Sequence, residues 1–137
     1  MRLEEQLAAI ELFSELSSRE VKAVGKLMTP IRVKPGKEIM VEGQSGREFV
    51  IITEGTATVR RGGRVLAQVG SGDFLGELSV IAGVPRTATV TADTELELMV
   101  LNRREFSALL DENPKIARKV LVGAVKRIHQ IEPTVTN

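Results

Sequence analysis

The chain has no cysteine, no tryptophan and no tyrosine, and a single histidine, His129. Without cysteine there are no disulfides and no thiolate metal sites, a composition compatible with a reducing compartment. One histidine cannot build the set of imidazoles and carboxylates that an open catalytic metal position needs. Charge of one sign is also lacking. Nineteen basic and eighteen acidic residues leave a formal charge of +1, so the total implies no strongly basic face for nucleic acid. No apolar run approaches the length of a membrane span, and the N-terminal MRLEEQLAAIEL is acidic where a secretory signal is basic and then apolar. The expected setting is therefore soluble and cytoplasmic, with no membrane partner. A length of 137 residues fits one domain with one core.

The apolar pattern changes period twice along the chain. Leu3, Leu7, Ile10 and Phe13 fall at helical spacing and predict an amphipathic helix over Leu3–Leu12. Ser17-Ser18-Arg19-Glu20 fits a capping box and opens a second helix, with Val21, Val24, Leu27 and Met28 as its stripe and Pro30 as its stop. After Pro30 the period falls to two. Ile31 and Val33 alternate with Arg32 and Lys34, Ile39 and Val41 alternate with Glu38 and Met40, and Phe49–Ile52 reads as a strand buried on both faces. Thr56–Arg60 and Val65–Val69 pair across Gly62-Gly63, a dipeptide able to make a tight hairpin turn. Ala88–Ala92 and Glu95–Leu101 bring the count to seven or eight short strands, the pattern of a jelly roll or small barrel. Asn102 with Glu105 caps a third helix, Asn113-Pro114 interrupts it, and a last helix over about Lys115–Ile131 ends before Pro133 and a frayed tail. Gly43, Gly46, Gly55, Gly70 and Gly72 read as turn residues, Phe49 and Phe74 as core. His129 and the group Lys119, Lys126 and Arg127 read as solvated helix surface.

One stretch carries chemistry. In Phe74–Val90, FLGELSVIAGVPRTATV, Gly76 opens a run able to form one helical turn with free backbone N–H groups, and Gly83 and Pro85 end it. Arg86 follows at once with a rigid fork of donors suited to phosphate oxygens. Glu77 is acceptor-only when ionised, which suits sugar hydroxyls. Taken singly, Arg86 is an ordinary surface arginine and Glu77 an ordinary acid at a helix start. Together they meet both halves of a sugar phosphate.

Gly76-Glu77-Leu78-Ser79 and Pro85-Arg86-Thr87-Ala88 resemble, in type and spacing, the phosphate-binding cassette of the cyclic-nucleotide-binding domain family, which includes kinase regulatory subunits, catabolite-activator-type regulators and cyclic-nucleotide-gated channels. The resemblance implies an α+β fold: an eight-stranded β-roll, or jelly roll, with N-terminal helices, a short cassette helix and two C-terminal helices. The expected organisation is one domain over residues 1–137, with N-terminal helices in 1–29, the roll in 30–101 with its cassette at 74–90, and hinge and lid helices in 102–131. It also implies a non-catalytic sensor of cyclic AMP, with cyclic GMP as the alternative, and no cofactor. Glu77 would take the ribose 2′-hydroxyl and Arg86 the cyclic phosphate. The backbone N–H groups of Gly76, Ser79 and Thr87 would complete the cradle, with Leu78 and Ala88 as the adjoining cassette positions. A threonine at 87 is associated in relatives with tolerance of cyclic GMP. The last helix would cover the base, its candidate contacts being Val125, Ile128 and the stem of Arg127, and its movement would signal to an effector outside this chain. Few residues follow Ile128, so no helix-turn-helix and no direct DNA binding are expected. The rivals are an enzyme or metal-binding cupin on a similar β-roll, whose metal constellation the single histidine excludes, and a family member that kept the fold, lost the ligand and acts as a protein-interaction module.

Overall fold

The structure, a computed structural model, describes residues 3–131; Met1, Arg2 and the tail read as frayed beyond Pro133 lie outside the described residues. Helix α1 (Leu3–Ala8) and a 3-10 turn (Glu11–Phe13) lead into α2 (Ser18–Leu27). The single helix expected over Leu3–Leu12 is thus broken, with Ile10 extended at φ −80° and ψ 133°. A continuous α-helix repeats its inner face only every three or four residues, whereas Ile10, Leu12 and Phe13 are all buried here, which the break and tighter turn allow. The capping box of Ser17 and Glu20 forms as read, and so does that of Asn102 and Glu105.

Eight antiparallel strands follow: β1 (Thr29–Val33), β2 (Glu38–Met40), β3 (Glu48–Glu54), β4 (Ala57–Arg61), β5 (Arg64–Val69), β6 (Phe74–Leu75), β7 (Thr89–Ala92) and β8 (Leu96–Asn102). They form two four-stranded sheets, ordered β1-β8-β3-β6 and β2-β7-β4-β5. The Gly62-Gly63 hairpin joins β4 to β5, with φ of 57° and 78° at the two glycines. The short cassette helix α3 (Glu77–Ala82) interrupts the strand series, and α4 (Arg103–Glu112) and α5 (Pro114–Ile131) close the chain.

The strands β3 and β8 explain why this sequence needs two apolar layers. Successive side chains of a strand point to opposite faces. Phe49 and Ile51, with Met99 and Leu101, pack under the helices in a cluster with Phe13, Val24, Phe106, Ile116 and Val120. Val50 and Ile52, with Leu96, Leu98 and Val100 and with Leu75 of the same sheet, point into the roll and meet Met40, Ala57 and Val90 from the other sheet. Two expected strand faces differ. Ile31 is exposed, because β1 is an edge strand of its sheet and only Val33 reaches the interior. In β2 a register shift between Glu38 and Met40 places Met40 opposite the buried Val90, so Met40 is the residue buried in the roll, while Ile39 packs against the same cluster only partly buried.

Candidate functional site

The cassette begins where β6 ends. Gly76 has φ 92°, a left-handed conformation that glycine adopts without strain, and a Cβ there would lie 2.6 Å from the Glu48 carbonyl oxygen and 2.7 Å from Arg86 Nη1. The turn throws Glu77, the first residue of α3, into the interior, where it is 1% exposed; Ser79 beside it is also buried. Gly83 ends α3 at φ 68°, its N–H donating to the Ser79 carbonyl at 2.9 Å.

Arg86 is buried without a carboxylate partner in contact. Its Nη2 donates to the Glu48 carbonyl at 3.0 Å and its Nη1 to the Gly76 carbonyl at 3.4 Å. Burial pushes the guanidinium below its ordinary pKa, against the opposing charges of Glu48 and Glu77; an arginine remains a cation throughout. The backbone of residue 86 is clamped as well, its N–H donating to the Gln44 carbonyl at 2.8 Å and its carbonyl accepting from Gly43 N at 2.9 Å. Gly46 lies flat on the side chain: a Cβ there would stand 2.1 Å from Arg86 Nε. Two carbonyls use two of the five guanidinium N–H groups, so donors remain for an anion.

The third element comes from α5. Arg127 Nη1 donates to Glu77 Oε2, Arg127 Nη2 donates to the Phe74 carbonyl, and the guanidinium stands 5.1 Å from the centroid of the Phe74 ring. The other carboxylate oxygen, Glu77 Oε1, is buried with no hydrogen-bond partner. A buried acceptor left unpaired is costly, and it is a strong acceptor for any hydroxyl brought to it. The helix approaches closely because residue 123 is glycine, whose added Cβ would lie 2.5 Å from Phe74 Cζ. Phe74 in turn packs on Phe49, ring centroids 5.6 Å apart.

These groups share one cavity of about 70 Å³, lined by Gly76, Glu77, Leu78, Ser79, Arg86, Thr87, Ala88 and Arg127, with Met40, Val59, Leu66 and other roll residues as the apolar wall. All seven cassette positions singled out in the sequence meet there. Of the three candidates on the last helix, only Arg127 does. Ile116, Val120, Gly123 and Arg127 recur every three or four residues and share the inner face; Val125 falls nearly opposite and Ile128 on its flank, and both are exposed, at 53% and 41%. Reading Arg127 and Lys119 as part of one solvated face is corrected too. Lys119 Nζ donates to the Glu11 carbonyl at 2.5 Å, to Glu11 Oε1 at 3.0 Å and to Ser14 Oγ at 2.7 Å, tying α5 to the N-terminal turn. In sequence Gly46 reads only as a turn residue and Gly123 carries no signal at all, because their role is steric and long-range; nothing beside them in the chain announces the partner ring or guanidinium.

Among the described residues there is no group of three or more histidines and carboxylates placed to hold a metal, and no helix long and apolar enough to cross a membrane. The family model for the cyclic nucleotide-binding domain matches residues 30–113, and the chain belongs to that family. The match covers the roll, the cassette and α4 and stops one residue short of α5, so the part played by Arg127 rests on this chain's own geometry. A cyclic nucleotide-gated potassium channel of Rhizobium etli is 34% identical over 121 residues, which cover 88% of this chain and 34% of that protein. A cAMP-dependent protein kinase regulatory subunit of Yarrowia lipolytica is 34% identical over 106 residues, 76% of this chain and 28% of that protein. The chain thus spans about a third of the length of these relatives. Among solved structures, the regulatory subunit of a cAMP-independent protein kinase A from Trypanosoma brucei superposes with a TM-score of 0.76 at 27% identity, over 92% of this chain and 44% of that one.

Proposed function

We propose that this domain binds a cyclic nucleotide, cyclic AMP at least as well as cyclic GMP, and carries out no chemistry on it. The observation that carries the reading is the pairing of unlike anchors in one cavity: the buried Arg86 cation with donors to spare, and the buried Glu77 carboxylate with Oε1 unpartnered. The cyclic phosphate falls to Arg86 and the ribose 2′-hydroxyl to Glu77 Oε1, while Arg127 keeps Oε2 and holds the carboxylate in place. Binding and docking of α5 therefore reinforce one another, and the occupied state is passed to an effector through this helix. Thr87, half-buried at the cavity wall, is the position from which the two bases are distinguished.

A second reading has one observation in its favour. The cavity holds about 70 Å³, against roughly 300–1,000 Å³ for small-molecule sites, as a member that has lost its ligand would have. A relative's name does not decide between them, since likeness at this level extends to a subunit described as cAMP-independent. Under the ligand-binding reading α5, the only wall element outside the roll and cassette among the described residues, opens to admit the nucleotide and docks again over it. Calorimetric titration with cyclic AMP and cyclic GMP separates the two. Saturable binding that Arg86→Ala weakens by about 2 to 4 kcal/mol, one and a half to three decades, establishes the first; absence of heat with either nucleotide establishes the second. Thr87→Ala is expected to widen the gap against cyclic GMP.

A further inference from the structure

Three arginines from two separate segments converge outside the nucleotide cavity. Arg47, on the loop before β3, and Arg103 and Arg104, the first residues of α4, line an open groove of about 710 Å³ together with Ser45, Glu48 and Asn102. All three arginines are exposed, and no carboxylate among the described residues pairs with them, in contrast to Arg32, Lys119 and Arg127. The one acid in the groove, Glu48, leaves a local excess of positive charge on a chain that is close to neutral.

The placement of Arg103 and Arg104 runs against local helix chemistry. Cations are unfavourable at the positive N-terminal end of a helix, where acids are preferred, and Glu105 is the only acid in the first turn of α4. Its carboxylate is occupied in the capping box, accepting from the Asn102 backbone at 2.9 Å. A local rule broken without local compensation points to a use elsewhere. Arginine forks match carboxylates in pairs, and an open groove of about 710 Å³ suits several side chains of an extended segment better than it encloses one small anion.

The groove is also joined to the nucleotide site. The loop carrying Arg47 is bound to the cassette arginine at several points: Gln44 and Gly43 hold its backbone, Gly46 packs on its side chain, and the Glu48 carbonyl accepts from its guanidinium. A phosphate drawing on Arg86 acts on this loop directly.

We infer that the Arg47, Arg103 and Arg104 groove is a docking surface for an acidic protein segment, rich in Asp and Glu, of the effector, and that its affinity responds to the cyclic nucleotide. The second clause rests on the nucleotide-binding reading above; the first does not. The test is fluorescence anisotropy of a short labelled oligo-glutamate peptide with the whole chain, at low and at physiological salt, with and without saturating cyclic AMP. Salt-sensitive binding is expected, lowered about tenfold by Arg103→Glu with Arg104→Glu, since two exposed pairs are lost and repulsion added, and unchanged by Lys34→Glu. Both reversals put acids at a helix start, so folding is not threatened. No binding at low salt, or equal loss with Lys34→Glu, overturns the surface. Capture of phosphatidylserine vesicles or of a single-stranded RNA with no capture of the peptide overturns the choice of partner. Cyclic AMP that binds by calorimetry yet leaves peptide affinity unchanged overturns the coupling; cyclic AMP that does not bind overturns the pocket reading, and the peptide arm still decides the surface.

Discussion

Arg127 and Glu77 offer the sharpest quantitative test, because the pair is buried on one side only. Glu77 is 1% exposed at its side chain and Arg127 26%. Removing one partner of a fully buried pair costs about 3–5 kcal/mol, most of it the unpaired charge left behind. With Arg127 partly wet, Arg127→Ala should cost about 2–3 kcal/mol in urea denaturation of the nucleotide-free protein. Glu77→Gln keeps the shape and an acceptor but removes the charge. In that background Arg127→Ala loses mainly its bond to the Phe74 carbonyl and its contact with the Phe74 ring, together about 1 kcal/mol. The double-mutant cycle should therefore show a coupling of about 1–2 kcal/mol, with the denaturant slope unchanged between variants. Costs that add to within about 0.5 kcal/mol would refute the claim that α5 is docked through this pair.

Gly123→Ala sets two effects against each other. Alanine gains up to about 1 kcal/mol of helix propensity, but a Cβ 2.5 Å from Phe74 Cζ forces α5 off the cassette at about 1–3 kcal/mol, so thermal denaturation should register a net loss; a gain would mean that the contact yields freely. Gly46→Ala, at a backbone without positive φ, should displace the Arg86 side chain and weaken nucleotide binding by about a decade, the worth of one charge-assisted bond, as read by calorimetry. The Lys119 bond and charge hold Glu11 below the ordinary glutamate pKa of 4.5, so its contribution is complete above that value and is lost as pH falls through the depressed one. Wild type and Glu11→Gln should differ in stability at neutral pH and converge in acid.

The cassette was legible because its chemistry is local: Gly76, Glu77 and Arg86 stand within eleven positions, and Gly83 and Pro85 announce the end of the helix between them. Both capping boxes were equally legible, since a cap is written in four consecutive residues. The face of a short strand was not. Ile39 and Met40 are both apolar and both touch the roll's core, and a register shift decided which one was buried there. The last helix shows the same limit from another side. Its stripe has more apolar residues than one face can bury, so Val125 and Ile128 competed with Arg127 for the inner position, and the close contact allowed by Gly123 selected the arginine.

The two anchors lean on different neighbours, and under the proposed reading that division determines what a ligand can move. Arg86 is held by the roll through Gly46, Gln44 and the Glu48 and Gly76 carbonyls, none of which requires α5. The Glu77 carboxylate, by contrast, is held through Oε2 by Arg127 of α5, so the presentation of Oε1 depends on that helix. Under the proposed reading, contacts to the phosphate are therefore nearly equal whether α5 is docked or not, and contribute affinity without moving that helix. A ligand shifts an equilibrium only by its differential affinity for the two states, which here reduces to the hydroxyl bond at Glu77, about 1.5–3 kcal/mol for a bond to a charged group. Cyclic AMP should accordingly slow amide exchange in α5 by about ten- to a hundredfold while leaving β5, Arg64–Val69, unchanged. A 2′-deoxy analogue makes the division visible: it should bind through Arg86, more weakly, and leave exchange in α5 close to that of the free protein. Equal protection of α5 by both nucleotides would show that the helix answers to the phosphate or the base, and the assignment of the signal to Glu77 and Arg127 would be wrong.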